Sequence, residues 1–395
     1  MGSNMGSTIN AIEEETLPNY KPEQFYPVHI GEIIKTPQGK YKVIGKLGYG
    51  RYSTVWLCLE LIDNTFYTIK IGTTHNDGNR EAATYKHLQP VALLHPGRRY
   101  VRKLHEAFEL SGPNGQHSCL VHPPLEMNLD EFQQTFPNYQ YPPILLKALL
   151  HCLFSALDFL HLGAGVIHTD IQAQNILVGL TAPSPVLNFV SAEQENPSAC
   201  KVINGTRSIY VSRSLPHSHL PGNPTLCDFG HAVRGPPETK HSGVIQPLPY
   251  RAPEVILGIP WGAEADIWNL GVLVRPIVVQ LPGAANTMTD MAAHVRVPTF
   301  HGTTEAEQLA AMVACLGLPP AEFVQRCREE GKGARYFDED GTWSGETITP
   351  APIDDILEGS GVAEFLDLLK SMLTWVPEER LTAAELKQHE WLQSR

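Results

Sequence analysis

The residues best suited to chemistry fall in four short runs. Leu47-Gly48-Tyr49-Gly50-Arg51-Tyr52-Ser53-Thr54-Val55 sits between two strand-like segments. Glycines in a hairpin leave backbone N–H groups open to a polyphosphate. A strand rather than a helix follows, so the run is neither a Rossmann turn nor a P-loop. Alone, it also reads as a plain tight hairpin. Lys70 lies in the strand-like run Thr65–Ile71, on the same face as Thr68. An inward lysine needs a partner, because burying an unpaired ammonium is costly. Glu81 offers one; turned outward, Lys70 is a solvated strand residue. His168-Thr169-Asp170-Ile171-Gln172-Ala173-Gln174-Asn175 sets Asp170 and Asn175 in one loop. Asp228-Phe229-Gly230 places an acceptor-only carboxylate beside a glycine turn, which suits a hard cation such as Mg²⁺ that also touches phosphate.

These runs need elements to position them. Tyr41–Leu47 and Ser53–Leu59 alternate, and Thr65–Ile71 is aromatic and β-branched, which predicts three strands with Asp63-Asn64 as a turn. A short helix is expected from Gly78 to Leu88, stopped by Pro90, with Glu81, Tyr85 and Leu88 on one face. Ser118–Val121 and Ile176–Val178 read as further strands. Pro142-Pro143 opens an apolar helix, Ile144 to His161, that ends at Gly163 and Gly165. It is apolar nearly all round, as the buried spine of a second, larger domain would be. Residues 180–223 read as a Ser-, Pro- and Asn-rich insertion with one strand, Ser208–Val211. Val362–Leu373 and Thr382–Leu392 read as amphipathic helices. Residues 1–25, with Glu13-Glu14-Glu15, read as a flexible arm. The expected fold is α+β, with a small β-rich lobe over residues 40–125 and a mainly helical lobe over residues 126–395.

The chain has 395 residues, 42% of them apolar, which supports a sizeable core. With 30 Lys and Arg against 42 Asp and Glu the net charge is −12, unfavourable for generic nucleic-acid or anionic-membrane binding. Seven cysteines without a C-x-x-C pair argue against a disulfide framework or a structural zinc site and fit a reducing compartment. The N-terminus lacks the charged head and apolar run of a secretory signal. No uninterrupted apolar run reaches the ~18–20 residues of a membrane span. A monomer in the cytoplasm or nucleus is expected, with no direct nucleic-acid or membrane partner.

In order along the chain, these runs carry a resemblance. Gly48, Gly50, Lys70, Asp170, Asn175, Asp228, Gly230, Ala252, Pro253 and Glu254 match the ordered motifs of eukaryotic protein kinases over residues 40–395. Arg380 matches the arginine that pairs with the glutamate of Ala252-Pro253-Glu254. The chain further resembles the serine/arginine-rich protein kinase family, most like its fungal members. That likeness rests on Tyr26-Pro27-Val28-His29-Ile30-Gly31-Glu32, on Ser53 at the third glycine position and on His168-Thr169-Asp170 instead of His-Arg-Asp. Ile245-Gln246 ahead of Tyr250-Arg251, and the long gap before Asp228, add to it.

The resemblance implies a bilobal protein-kinase fold and an ATP- and Mg²⁺-dependent serine/threonine kinase acting on Arg/Ser-rich protein substrates. It implies that Leu47, Gly48, Tyr49, Gly50, Arg51, Tyr52, Ser53, Thr54 and Val55 cover the ATP phosphates. Lys70 would hold the α- and β-phosphates and pair with Glu81. Asp170 would position the substrate hydroxyl and accept its proton, and Asn175 and Asp228 would hold Mg²⁺. The Pro123 carbonyl and Leu125 N–H would meet adenine. A catalytically dead scaffold is the alternative reading, although every catalytic position is filled by the expected residue type.

The departures from the family are local except for one. Thr169 replaces the arginine that reads activation-loop phosphate, Gln172 replaces the lysine near the γ-phosphate, and Thr68 replaces a small alanine. The short spacing from Lys70 to Glu81 implies a truncated helix or a looser pair. The largest departure is the stretch 275–300, which begins Arg275-Pro276, includes Pro282-Gly283 and lacks the family's continuation of the helix opened by Asp266-Ile267-Trp268. A divergent loop and an error in the coding sequence both account for it. Either predicts a helix stopping near Val274 and imperfect packing of Ile277-Val278-Val279.

Overall fold

The computed structural model describes residues 11–74, 78–91, 95–218, 221–274, 300, 302–346, 348–353 and 362–394. The chain divides into two compact units, one gathering residues 1–86, 102–127 and 178–222, the other residues 87–101, 128–177 and 223–395. The insertion therefore belongs with the β-rich unit, not with the helical lobe where the chain order had put it.

The first unit is built on β1 (Ile33–Lys35), β2 (Lys40–Gly50), β3 (Ser53–Glu60), β4 (Phe66–Gly72), β5 (Glu106–Gly112) and β6 (Gly115–His122). All neighbours are antiparallel, in the order β1-β2-β3-β4-β6-β5. Successive side chains on a strand point to opposite faces, and β3 is covered on both. Trp56 and Cys58 enter the main core with Tyr41, Val43, Ile69 and Val121, while Leu57 packs with Val186, Phe189 and Leu215 of the insertion. The insertion supplies that second cover with a helix, Ser184–Glu195, which the sequence reading missed. It also forms a hairpin of two strands, Cys200–Asn204 and Arg207–Tyr210, where one was expected. At Gly45 the helix comes close: a Cβ there would stand 2.9 Å from the Phe189 ring.

The segment read as a flexible arm is folded over residues 11–25. Glu13–Thr16 and Pro22–Gln24 are short 3-10 turns, and Glu14 is buried. Its acidic run is spent on lysines and a serine of the same unit, and this removes the reason for it to stay solvated. Residues 1–10 lie outside the described residues. The helix α1 (Gly78–Val91) buries Glu81, Tyr85 and Leu88, the face that their spacing predicts. Pro90 lies within its last turn instead of stopping it, and the helix runs one residue further, because a proline there forfeits one backbone bond near an end.

In the second unit the helix Pro143–Asp158 continues as a wider turn, Phe159–Gly163. These 21 residues are long and apolar enough to cross a bilayer by length and composition, and most of them are buried inside the protein. Leu146, Leu149, Leu150, Leu153, Phe154 and Leu157 carry the packing. Thr382–Leu392 is not one helix. Thr382 caps Ala383–Leu386 and His389 caps Glu390–Gln393, so the second cap breaks the run. Glu264–Val274 is helical and buried, with Phe300 stacked on Trp268 at 5.5 Å. The expected stop near Val274 and the packing of Ile277-Val278-Val279 lie outside the described residues.

Candidate active site

The chemistry-bearing residues sort into two groups, one in each unit. In the first unit the glycine-rich run closes a hairpin in which Gly48 faces Val55, Tyr49 faces Thr54 and Gly50 faces Ser53. An added Cβ at Gly48 or Gly50 would meet nothing within 4 Å, and neither has a positive φ. Neither packing nor backbone strain requires glycine at these two positions. The bare backbone is suited to close approach by a ligand. Lys70 sits opposite Val55 on β3 and Leu120 on β6. Its Nζ lies 2.9 Å from Glu81 Oε2, and the Glu81 side chain is only 5% exposed. The expected looseness of this pair is corrected. β4 ends at Gly72 and α1 begins at Gly78, so Glu81 falls in the first turn and reaches the strand despite the short spacing.

Thr68 uses the hydroxyl that distinguishes it from alanine. It donates to the His122 carbonyl at 3.3 Å and accepts from Arg102 Nη2 at 2.9 Å. Beyond β6, Pro123 is exposed and Leu125 half-buried. Pro123 offers a carbonyl and no N–H.

In the second unit Asp170 is clamped by its own loop. Asn175 Nδ2 donates to the Asp170 carbonyl at 2.9 Å and to Oδ2 at 2.8 Å, and Gln172 Nε2 donates to Oδ1 at 2.9 Å. Burial raises the Asp170 carboxyl above its ordinary range, against the opposing pull of His168 and of these two amides. His168 is fully buried. Its Nε2 lies 2.9 Å from the Cys227 carbonyl, and its Nδ1 accepts from Asp170 N at 3.3 Å. Cys227 N donates to the Asn175 carbonyl at 2.8 Å, which ties the loop to Asp228-Phe229-Gly230.

Two backbone conformations in this group are costly. Thr169 has φ 66° and Asp228 φ 64°, a left-handed region that residues other than glycine rarely enter. Asp266, fully buried, holds the first of them: its carboxylate accepts from His168 N at 2.7 Å, Thr169 N at 2.8 Å and His161 Nε2 at 2.9 Å. Thr169 Oγ1 donates to the His231 carbonyl at 3.0 Å, occupying the place of the missing arginine with a neutral contact. Asp228 Oδ1 accepts from Gly230 N at 3.3 Å.

Glu254 and Arg380 meet as expected, in two parallel bonds of 2.7 Å with neither side chain exposed. Gln246, also left-handed at φ 66°, accepts from Ala252 N at 2.9 Å and donates to the Ala265 carbonyl at 2.9 Å. Tyr250 beside it is pushed up to about 12 by burial, with Asp130 and Asp170 adding negative field.

The structure thus brings Lys70 to Glu81, Asp170 to Asn175, and the Asp170 loop to the segment of Asp228. The resemblance implies that the helix opened by Asp266-Ile267-Trp268 anchors this loop, and the Asp266 carboxylate makes the bonds that do so; what the sequence did not show is Gln172 as a donor to Asp170.

Comparison with known proteins agrees with this geometry. The protein kinase domain family matches residues 41–392. A serine/threonine protein kinase of Aspergillus fumigatus is 36% identical over 392 residues, covering 96% of this chain and 91% of that protein. The serine/threonine-protein kinase SRPK of Physarum polycephalum is 27% identical over 414 residues, covering 96% and 91%. A crystal structure of another kinase domain superposes with a TM-score of 0.69 at 21% identity, over 93% of this chain and 99% of that one, which shows the shared fold. With the ordered motifs, the strained loop and the Glu254–Arg380 pair in place, the chain belongs to the protein kinase domain family, as a serine/threonine protein kinase of the SRPK-like kind.

Proposed function

We propose that this kinase transfers the γ-phosphoryl group of ATP, with Mg²⁺, to serine hydroxyls of arginine/serine-rich proteins. The observation that carries the reading is Asp170, held by two amide donors in a strained, fully supported loop. A carboxylate so fixed takes the proton of a substrate hydroxyl as the new P–O bond to serine forms and the bond to the ADP oxygen breaks. Residues 47–55 cover the phosphates with bare backbone. Lys70, oriented by Glu81, engages the α- and β-phosphates. The Pro123 carbonyl and the Leu125 N–H take adenine.

Asn175 and Asp228 supply hard oxygen donors in the small number Mg²⁺ takes from protein when phosphates and water complete its shell. Asn175 spends its Nδ2 on Asp170, which leaves Oδ1 as its acceptor end. When bound, the ion neutralises charge on the phosphates. The arginine preference is supported by the net charge of −12 and by the name of the Physarum relative. Seven free cysteines support a reducing compartment, the cytoplasm or nucleus. The test is transfer of labelled phosphate to an Arg/Ser peptide with Mg²⁺ and with chelator. Metal-dependent labelling is expected. ATP binding without any labelling would make the chain a scaffold instead.

A further inference from the structure

We infer that Lys46 and the folded segment 11–25 form a clasp that positions the glycine-rich hairpin. Lys46 lies on β2, two residues before Gly48, and its side chain is fully buried, which is rare for lysine. Its ammonium pairs with Glu13 at 3.1 Å and with Glu14, donates to the Tyr210 carbonyl at 3.2 Å and stands 5.0 Å from the centre of the Tyr49 ring. Its backbone carbonyl accepts from Arg213 N at 2.9 Å. The residue at the root of the hairpin is therefore held by the N-terminal segment, and both the hairpin strand and the loop of the insertion bond to it.

The clasp is braced from its own side. Glu13 also accepts from Ser212 N at 3.0 Å and Ser212 Oγ at 2.6 Å, and Glu15 pairs with Lys201 at 2.7 Å. Glu13 adopts a left-handed φ of 52°, a strain that these contacts hold in place. The far side of the hairpin is held to β4, where Ser53 pairs with Gly72 and Thr73 N donates to the Tyr52 carbonyl at 2.9 Å, while its outgoing side is held at the root. Gly48 and Gly50 have open space where a Cβ would stand, and Tyr49 and Tyr52 are exposed. Removing the carboxylates leaves a buried ammonium unpaired. The strain is relieved when Lys46 turns to solvent, and that movement shifts the end of β2 and the turn it carries.

This inference rests on the proposed role of the hairpin over the ATP phosphates, so the test includes a readout free of nucleotide. The full chain carrying Glu13→Gln and Glu14→Gln is compared with wild type by amide hydrogen exchange and by steady-state kinetics. Exchange at residues 47–55 is expected to quicken about tenfold while the helix Pro143–Asp158 is unchanged. KM for ATP is expected to rise about tenfold with kcat within about twofold. Glu13→Gln alone, which leaves Glu14 in place, is expected to give the same pattern at smaller amplitude, and it serves if the double variant does not fold. Unchanged exchange at residues 47–55, or a loss confined to kcat, overturns the clasp. A wild-type chain that binds no ATP overturns the proposed function instead, and the exchange result still decides the clasp.

Discussion

Lys70 and Asp228 are the two residues whose charge the proposed chemistry cannot spare. Lys70 is partly buried and already aligned by Glu81, and Asp228 is held in a left-handed conformation. Lys70→Met and Asp228→Ala should each lower the phosphotransfer rate by at least ~10³, the size of losing a main electrostatic stabiliser. Turnover near wild type in either variant, by radiolabel transfer, would remove these residues from the active site. Gln172 makes a finer point. It gives Asp170 a neutral donor where the family has a cation. Gln172→Lys should therefore raise kcat, by about tenfold if the cation reaches the transferring phosphoryl group. An unchanged or lower kcat would show that the amide's grip on Asp170 matters more than the missing charge.

At the scale of elements, the Glu254–Arg380 pair joins segments 126 residues apart with both charges withdrawn from water. Arg380 is further held by the Glu264 carbonyl at 3.0 Å, the Thr374 carbonyl at 3.1 Å and the Trp268 ring at 4.9 Å. Arg380→Met should destabilise the unit by about 3–5 kcal/mol, because Glu254 is left buried and unpaired. Adding Glu254→Met should recover part of that loss in a denaturant melt, whereas two additive losses would refute the coupling.

β6 carries the buried histidine His117. His117 donates from Nδ1 to the Gly72 carbonyl at 2.8 Å, and its Nε2 has no hydrogen-bond partner among the described residues. Burial, outweighing the Gly72 bond, and the nearby Arg207 charge lower its pKa. The folded state therefore resists a proton that the unfolded chain accepts below pH ~6.5. Stability should fall as pH drops from 7 toward 5, and His117→Gln should flatten that slope. An identical slope in the variant would assign the acid sensitivity elsewhere.

Over the whole molecule the net charge of −12 is the quantity that matters. Some of the acidic clusters are taken up locally. Glu305 pairs with Arg251 at 3.3 Å, Glu307 accepts from Thr303, and Asp338 closes the turn to Thr342. The summed field still favours cationic substrates at a distance. At low ionic strength an Arg/Ser peptide should be phosphorylated faster than an acidic one, and the advantage should shrink as salt rises. Equal rates at low salt would show that the charge plays no part in substrate choice.

What the sequence determined by itself is local and periodic. Four strands of the first unit's sheet, β2, β3, β4 and β6, together with the shared face of Glu81, Tyr85 and Leu88, the apolar spine and the order of the chemical motifs could be read because each depends on spacings of a few residues, whereas β1 and β5 were not read. The tertiary structure decided what depends on distant partners. It gave the insertion a helix and a hairpin that cover the second face of β3. It turned the acidic segment from an arm into a clasp on Lys46, 32 residues away. It recruited Asp266 to His161, 105 residues earlier, and so to the backbone of the Asp170 loop. A carboxylate in the sequence looks the same whether it is solvated or destined for a buried lysine. Only the fold, by taking both groups out of water at once, makes their pairing obligatory.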